Sequence, residues 1–453
     1  MTPPIYSIPV GKERLLVSPL QQISALLNQE ALKIVTRGLK AEGWEDLNNN
    51  DLDAIAALLR ETPADPPETC TGGLEPAFLG LIPTRTCNMS CGYCDFGSDR
   101  ASEKQMPLSM AVDAVDWMAK TVQASGGSHL EIHFFGGEPL VALEVVEAAV
   151  HRARMKADEL DLDLHLEVST NGYMDDLTAR FVGDHFDAVV VSIDGFEQDH
   201  DRNRPKNQRK GSFKRVIKTI EQLADSSTQL CLRCCVTDQS VQKMNEITHW
   251  FCDAFQPSVI NFETVSANPK SEANQLLPPD PYEFVRNCIL SVRIAQGYGI
   301  PLVYASAAAG SPRTTFCPVG RDTLIVTPDG RVNECYLMED DWVSRGMDMA
   351  VGEYSSQKEL LIDMKAVRRL RDMVKHKPGC GQCFCRWSCA GGCHVKHDVS
   401  IFPMQYDDFC IQTRLLTAGL ALDEMGLEAV TDDLMDCREK MTSLALNPAD
   451  LLT

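Results

Sequence analysis

The chain of 453 residues lacks any surplus of basic charge: 43 Lys and Arg face 64 Asp and Glu, a formal net charge of −21. A surface so biased repels a phosphate backbone, so nucleic acid is not an expected partner. It also lacks long apolar runs, none approaching the ~20 residues that a bilayer-spanning helix needs. The opening MTPPIYSIPVGKERLLVSPL has no basic n-region followed by an apolar stretch and a small-residue cleavage site. No membrane association is expected, and the cytoplasm is the expected compartment. Low-complexity tracts and internal repeats beyond a strand–helix unit are missing too. Cysteine is too dilute for a disulfide scaffold, at 18 in 453 residues, and a chain of this length buries a core without such bridges.

What is present is cysteine in clusters. Cys87, Cys91 and Cys94 form one group, and eight more fall between Cys317 and Cys410. In a reducing compartment, clustering of this kind points to metal ligands.

Residues 1–75 read as a separate α+β segment: RLLVSPL suggests a short strand or hairpin, the stretch around ISALLNQEALKIV leads into helix, and Pro63, Pro66 and Pro67 mark a linker. Six short apolar runs follow, FLGLIPT (78–84), LEIHFF (130–135), LHLEVS (164–169), AVVVSI (188–193), QLCLRCCV (229–236) and SVINFETV (258–265). Helical patterns separate them, as with Val112, Val115, Met118 and Val122 after Pro107 and before Gly126 and Gly127. Sixfold strand–helix alternation predicts an α/β fold, a partial (β/α)6 TIM-type barrel over 76–305, with chemistry at the C-terminal ends of the strands. An irregular Cys-rich domain is expected over 306–415 and a helical tail, opening near IQTRLLTAGLALDEMG, over 416–453.

Directly after the first predicted strand, CNMSCGYC spaces Cys87, Cys91 and Cys94 as C-x3-C-x2-C. Three thiolates on one tight loop can hold three irons of a 4Fe–4S cube and leave the fourth open to a ligand. A closed zinc site would need a fourth nearby Cys or His, and Cys70 offers no usual paired spacing. The loop, with Tyr93 just before its third cysteine, resembles the signature of the radical S-adenosylmethionine (SAM) superfamily. Gly136, Gly137, Glu138 and Pro139 at the second strand end resemble that family's GGEP segment, which meets the amino group of SAM. Ser169, Thr170 and Asn171 at the third strand end, and Ser192 and Asp194 at the fourth, resemble the polar strand ends that face the methionyl and ribose groups. Arg204, in HDRNR before GSF, matches a segment of the peptide-modifying members.

Further along, Cys317 and Cys335 flank Gly330 as C-x12-G-x4-C, and Cys380, Cys383, Cys389 and Cys393 give C-x2-C-x5-C-x3-C before a last Cys410. Seven cysteines so spaced resemble the SPASM domain of peptide and protein maturases. That resemblance implies two auxiliary 4Fe–4S clusters, three clusters in all: an outer one on Cys380, Cys383, Cys389 and Cys410, and an inner one on Cys317, Cys335 and Cys393. Sulfatase maturases carry another cysteine where this chain has Thr323, so the inner cluster is expected to have an open iron unless Cys385 is its fourth ligand; Cys385 reads equally as a packed thiol. Cys231, Cys234, Cys235, Cys252 and Cys288 read as core.

The resemblance implies reductive cleavage of SAM, with electrons from a reduced flavodoxin or ferredoxin-type donor, and hydrogen abstraction from a peptide or small protein, whose leader is expected to add as a strand to the N-terminal segment. Among family activities, the run Cys335, Tyr336, Leu337 lacks the Asp that follows this cysteine in sulfatase maturases. The expected reaction is therefore thioether crosslinking, as in sactipeptide-like and quinohemoprotein amine dehydrogenase maturation, with carbon–carbon crosslinking, formylglycine formation and small-molecule radical chemistry as alternatives. A non-catalytic iron–sulfur carrier would lack the strand-end series. Tyr336 reads as a packed aromatic or a relay, and no general base is identified.

Overall fold

The computed structural model describes residues 4–40, 50–63, 65–68, 70–96, 104–206, 210–307, 312–373, 377–397, 406–447 and 449–452. Residues 1–3 of the opening stretch and 64 of the proline-marked linker lie outside them. The N-terminal segment begins with three antiparallel strands, β1 (Tyr6–Val10), β2 (Glu13–Ser18) and β3 (Ile23–Leu27). Gly11, at φ 59°, closes the first hairpin, and the registers Tyr6↔Val17 and Leu15↔Leu26 fix the sheet. Ile5, Leu16 and Leu27 pack with Val35 of helix Gln29–Lys40 and Leu59 of helix Asn50–Glu61. The expected hairpin is thus a three-stranded sheet: the run ISALL, which opens the helical stretch in sequence, is a strand because it pairs with β2.

Beyond the linker, β4 (Leu79–Leu81), β5 (His129–Phe134), β6 (Asp163–Thr170), β7 (Ala188–Ser192), β8 (Gln229–Val236) and β9 (Val259–Thr264) fall within the six expected runs or overlap them. Each is parallel to the next. The array does not close. A two-residue β10 (Leu302–Val303) adds to β9, while β11 (Leu324–Val326) pairs parallel to β4 at the other end. From β11 the chain continues antiparallel through β12 (Arg331–Asn333), β13 (Ala350–Tyr354) and β14 (Leu360–Ile362). One 11-stranded sheet results, in the order β10-β9-β8-β7-β6-β5-β4-β11-β12-β13-β14. The C-terminal region is therefore more regular than its Cys and Gly texture suggests, with short irregular pieces concentrated near the thiol-bearing stretch 377–397.

Strand side chains alternate with period two. Leu130, Ile132 and Phe134 of β5, Leu166 and Val168 of β6, and Leu230, Leu232, Cys234 and Val236 of β8 are buried in the core. Against them pack crossover helices such as Leu108–Ala124, whose Met110, Ala111, Val115, Met118 and Val122 share one face. The opposite strand face leaves Glu131, His133, Glu167, Ser169, Ser192, Cys231, Arg233 and Cys235 half-buried. Of the cysteines assigned to the core, Cys234, Cys252 and Cys288 are buried, whereas Cys231 and Cys235 stand on this second face because β8 alternates strictly.

After helices Asp408–Glu424, Glu428–Met435 and Arg438–Leu446 the chain returns to the first sheet as β15 (Asp450–Leu451), antiparallel to β1 with Tyr6↔Leu451. The order β15-β1-β2-β3 leaves β3 as an open edge among the described residues.

Candidate active site

The ends of β4 and β5 carry the first cysteine group. Gly137 N donates to Thr84 O (3.1 Å) and Glu138 N to Thr86 O (3.0 Å), seating the run into Cys87 on the end of β5. Neither glycine has room for a side chain: a Cβ would lie 2.5 Å from Thr84 O at Gly136, and 2.2 Å from Arg85 O and 2.4 Å from Thr86 O at Gly137. Their small size lets two backbones touch, in addition to any approach to a ligand. The loop is then fixed from several elements. Ser90 N donates to Pro205 O (2.8 Å), Gly92 N to Asn203 O (2.8 Å), Asn274 Nδ2 to Gly92 O (3.2 Å) and Asn268 Nδ2 to Tyr93 O (3.2 Å).

On this frame the Cys87 sulfur accepts from Met89 N (3.4 Å) and Asn171 Nδ2 (3.5 Å). Cys91 feels the charge of both Cys94 and Cys87, so the three sulfurs share one locus. Burial pushes the Cys87 and Cys91 thiols up to about 12. Thiols held that high become thiolates only where a metal ion takes the place of the proton, and amide donors to sulfur suit a metal-bound thiolate.

Beside the loop, Glu138 is buried and latches two strand ends together. Its Oε1 accepts from Thr170 Oγ1 (2.8 Å) and Leu140 N (3.2 Å), and its Oε2 from Asn171 N (2.7 Å). Burial raises its carboxyl to about 7. Asp194, wholly buried, takes a hydrogen bond from Tyr93 Oη at Oδ2 (2.6 Å) and from Cys235 N at Oδ1 (3.1 Å), and pairs with Arg204 Nε at 2.9 Å. The Arg204 guanidinium also lies over the Tyr93 ring, 5.3 Å from its centroid. Tyr93, distant in sequence from Asp194 and Arg204, thus joins them in one neutralised group against Cys91. Ser169 and Ser192 stand half-buried at the ends of β6 and β7, on the strand face opposite the core.

The C-terminal thiols divide into two further sets. Cys317 interacts electrostatically with Cys393 and Cys335, and Cys335 with Cys393. Separately, Cys380 faces Cys383, Cys389 faces both, and Cys410 faces Cys383 and Cys389. These four sulfurs line one cavity together with Cys385, Arg386, His397, Tyr406 and Arg414. Cys385 belongs to this outer set, since its partners are Cys383, Arg414 and Thr417 rather than the inner thiols. Thr323, six residues after Cys317, is fully buried and its hydroxyl has no partner among the described residues. None of the described cysteines is in a disulfide. Three separate groups of half-buried and buried thiols with hydrogen-bond donors to sulfur are a donor set that fits iron–sulfur clusters.

Tyr336, next after Cys335, reaches back to the barrel. Its ring packs on Phe135 (4.7 Å between centroids), its hydroxyl fills the space that a Cβ at Gly80 of β4 would need, and Arg85 Nη1 donates to its carbonyl (2.9 Å). Phe135 in turn meets Phe96 at 4.6 Å, so an aromatic row joins the first cysteine loop to the C-terminal region. Sequence reading did not find Asn203, Asn268 and Asn274 as loop supports, nor Lys377, whose ammonium donates to Gly392 O (3.3 Å) between Cys389 and Cys393. Each acts through a contact that no local spacing encodes.

Residues 81–247 match the family model described as the radical SAM superfamily. The cysteine-type anaerobic sulfatase-maturating enzyme of Clostridium perfringens is 26% identical over 348 residues, covering 72% of this chain and 90% of that protein. Among solved structures, native anSMEcpe with bound AdoMet and Cp18Cys peptide superposes with a TM-score of 0.60 at 19% identity, over 79% of this chain and 100% of that one. Streptococcus suis SuiB, bound to its precursor peptide SuiA, superposes at 0.50 with 12% identity, over 86% of this chain and 94% of that one. The likeness to both structures is one of fold.

Proposed function

The chain carries a radical SAM domain and the fold of SPASM-type maturases, and from that premise we propose that it modifies a ribosomally made peptide or small protein subunit, installing a thioether between a Cys sulfur and a substrate carbon. In this reading Cys87, Cys91 and Cys94 hold the catalytic 4Fe–4S cluster. Tyr93, Gly136, Gly137, Glu138, Ser169, Asn171, Ser192, Asp194 and Arg204 line the place of SAM. Cys317, Cys335 and Cys393 hold the inner auxiliary cluster, and Cys380, Cys383, Cys389 and Cys410 the outer one. SAM and the catalytic cluster supply a radical able to take a hydrogen atom from an unactivated carbon. The protein contributes a rigid seat for the cysteine loop and a buried, charge-balanced wall, Tyr93–Asp194–Arg204, that keeps water from the reacting groups. Electrons are proposed to come from a reduced flavodoxin or ferredoxin-type protein in the cytoplasm.

The observation that carries the thioether reading is the inner set: three thiols, a buried unpartnered Thr323 where sulfatase maturases have cysteine, and Tyr336 in place of their Asp. Three thiolates leave an iron coordination position that a substrate thiolate suits. Forming a C–S bond from C–H and S–H removes two hydrogens, one as the abstracted atom and one as a proton with its electron passed to an auxiliary cluster. Mass spectrometry of the co-expressed peptide should show a loss of two hydrogens together with loss of one alkylatable Cys and no hydrazine-reactive aldehyde. An aldehyde would establish formylglycine formation instead.

SuiB was solved with its precursor peptide and anSMEcpe with a Cys-containing peptide. By analogy the leader of this chain's substrate is proposed to add to the open edge of β3, since β1 is already covered by β15. Precursor binding should then slow hydrogen exchange at the β3 amides and leave those of β1 unchanged. Equal β3 exchange with and without saturating peptide would rule out strand addition.

A further inference from the structure

Arg414 lies in the interior of the helix Asp408–Glu424 and is 1% exposed, among the largest wholly buried side chains of the chain. A buried guanidinium normally demands a carboxylate, because an uncompensated charge in the interior costs several kcal/mol. Among the described residues Arg414 forms no ion pair with a carboxylate. Its Nε donates to Ala445 O (2.8 Å), Nη2 to Asn447 O (2.8 Å), and Nη1 to Tyr406 Oη (3.3 Å) and Cys383 Sγ (3.4 Å). Phe384 and Tyr406 cover the guanidinium with their rings, at 4.6 Å and 4.3 Å from the centroids. Every hydrogen-bond partner is therefore neutral except the sulfur, and the same sulfur lines the outer cavity.

The missing anion is supplied if the outer thiols are thiolates on iron, since four thiolates leave a 4Fe–4S cluster anionic in either oxidation state. Resting on the outer-cluster assignment above, we propose that Arg414 is the charge-compensating residue of the outer auxiliary cluster: its direct N–H···S bond and buried charge raise that cluster's reduction potential and so make it a competent acceptor for the electron released after bond formation. One-electron reduction places one more negative charge beside the guanidinium, and a low-dielectric setting strengthens the attraction. Arg386 and Lys377 also act on Cys380, but Arg386 sits at the half-buried start of a short helix and Lys377 serves the inner thiols as well. Among the described residues Arg414 alone of the three donates a hydrogen bond to a sulfur of the outer set.

The test is a dithionite titration of the reconstituted full-length protein followed by EPR, the outer cluster being identified as the signal missing from a Cys380→Ala/Cys383→Ala variant. Arg414→Gln keeps amide donors for the Ala445 and Asn447 carbonyls and loses the charge; Arg414→Lys keeps the charge and loses the fork. A lower outer midpoint in Arg414→Gln, a smaller drop in Arg414→Lys and an unmoved inner midpoint are expected. Unchanged outer midpoints in the loaded Arg414→Gln protein, or equal drops in both variants, overturn the role of the charge. If the Cys380→Ala/Cys383→Ala variant has the wild-type iron content and the wild-type EPR signals, the outer-cluster assignment itself is wrong, a result distinct from a cluster present and indifferent to Arg414.

Discussion

Replacing Cys87, Cys91 and Cys94 together by alanine should abolish formation of 5′-deoxyadenosine under dithionite while leaving most of the bound iron in place. The expectation follows from the separation of the thiols into three sets. The first set interacts within itself and is held by Thr84, Thr86, Pro205, Asn203, Asn268 and Asn274, while Arg85, between the two threonines, reaches the C-terminal region through the Tyr336 carbonyl. Its loss should remove one cluster's iron and spare the spectra of the other two. Anaerobic iron analysis and product chromatography read both effects. Cofactor cleavage persisting in the triple variant would end the assignment of this loop as the catalytic centre.

Gly137→Ala should be nearly as damaging without touching a thiol. The new methyl would sit 2.2 Å from Arg85 O and 2.4 Å from Thr86 O, so two carbonyls of the run into Cys87 must move. These are backbone atoms, tied by the Gly137 and Glu138 amides, and cannot rotate aside. Overpacking of this kind costs about 1–3 kcal/mol and occasionally more. Displacing the loop also carries Cys87 away from its donors Met89 N and Asn171 Nδ2. A lowered Tm with loss of the catalytic cluster's iron, and auxiliary iron retained, is the expected pattern. Gly73→Ala, where a Cβ meets nothing, is the control. Wild-type iron and Tm in Gly137→Ala would show that the two backbones do not need this contact.

The sequence was most legible where spacing and chemistry coincide. The six barrel strands stand out because Leu, Val and Ile recur in short runs between amphipathic helices, and the thiol sets because C-x3-C-x2-C and C-x2-C-x5-C-x3-C have few other uses. Reading failed where partners are distant. Nothing near Asn203 announces that its carbonyl will meet Gly92 N, and Arg414 reads as one polar position in IQTRLLTAG until the fold brings Cys383 against it. β10 and β15, two residues each, are too short for periodicity to register. The edge pairing of β11 with β4, which ties the C-terminal region into the barrel sheet, is a long-range choice among several apolar triplets. Cys385 was open between two roles because an x-Cys-x beside Cys383 looks the same whichever cavity it borders.

The pairing of β15 with β1 also sets the order of assembly. Arg14 meets Asp450 across 436 positions, and at ~5–20 residues per second the ribosome needs roughly 20 to 90 seconds to span them. Through that interval both margins of the nascent sheet are bare, and bare margins recruit foreign strands.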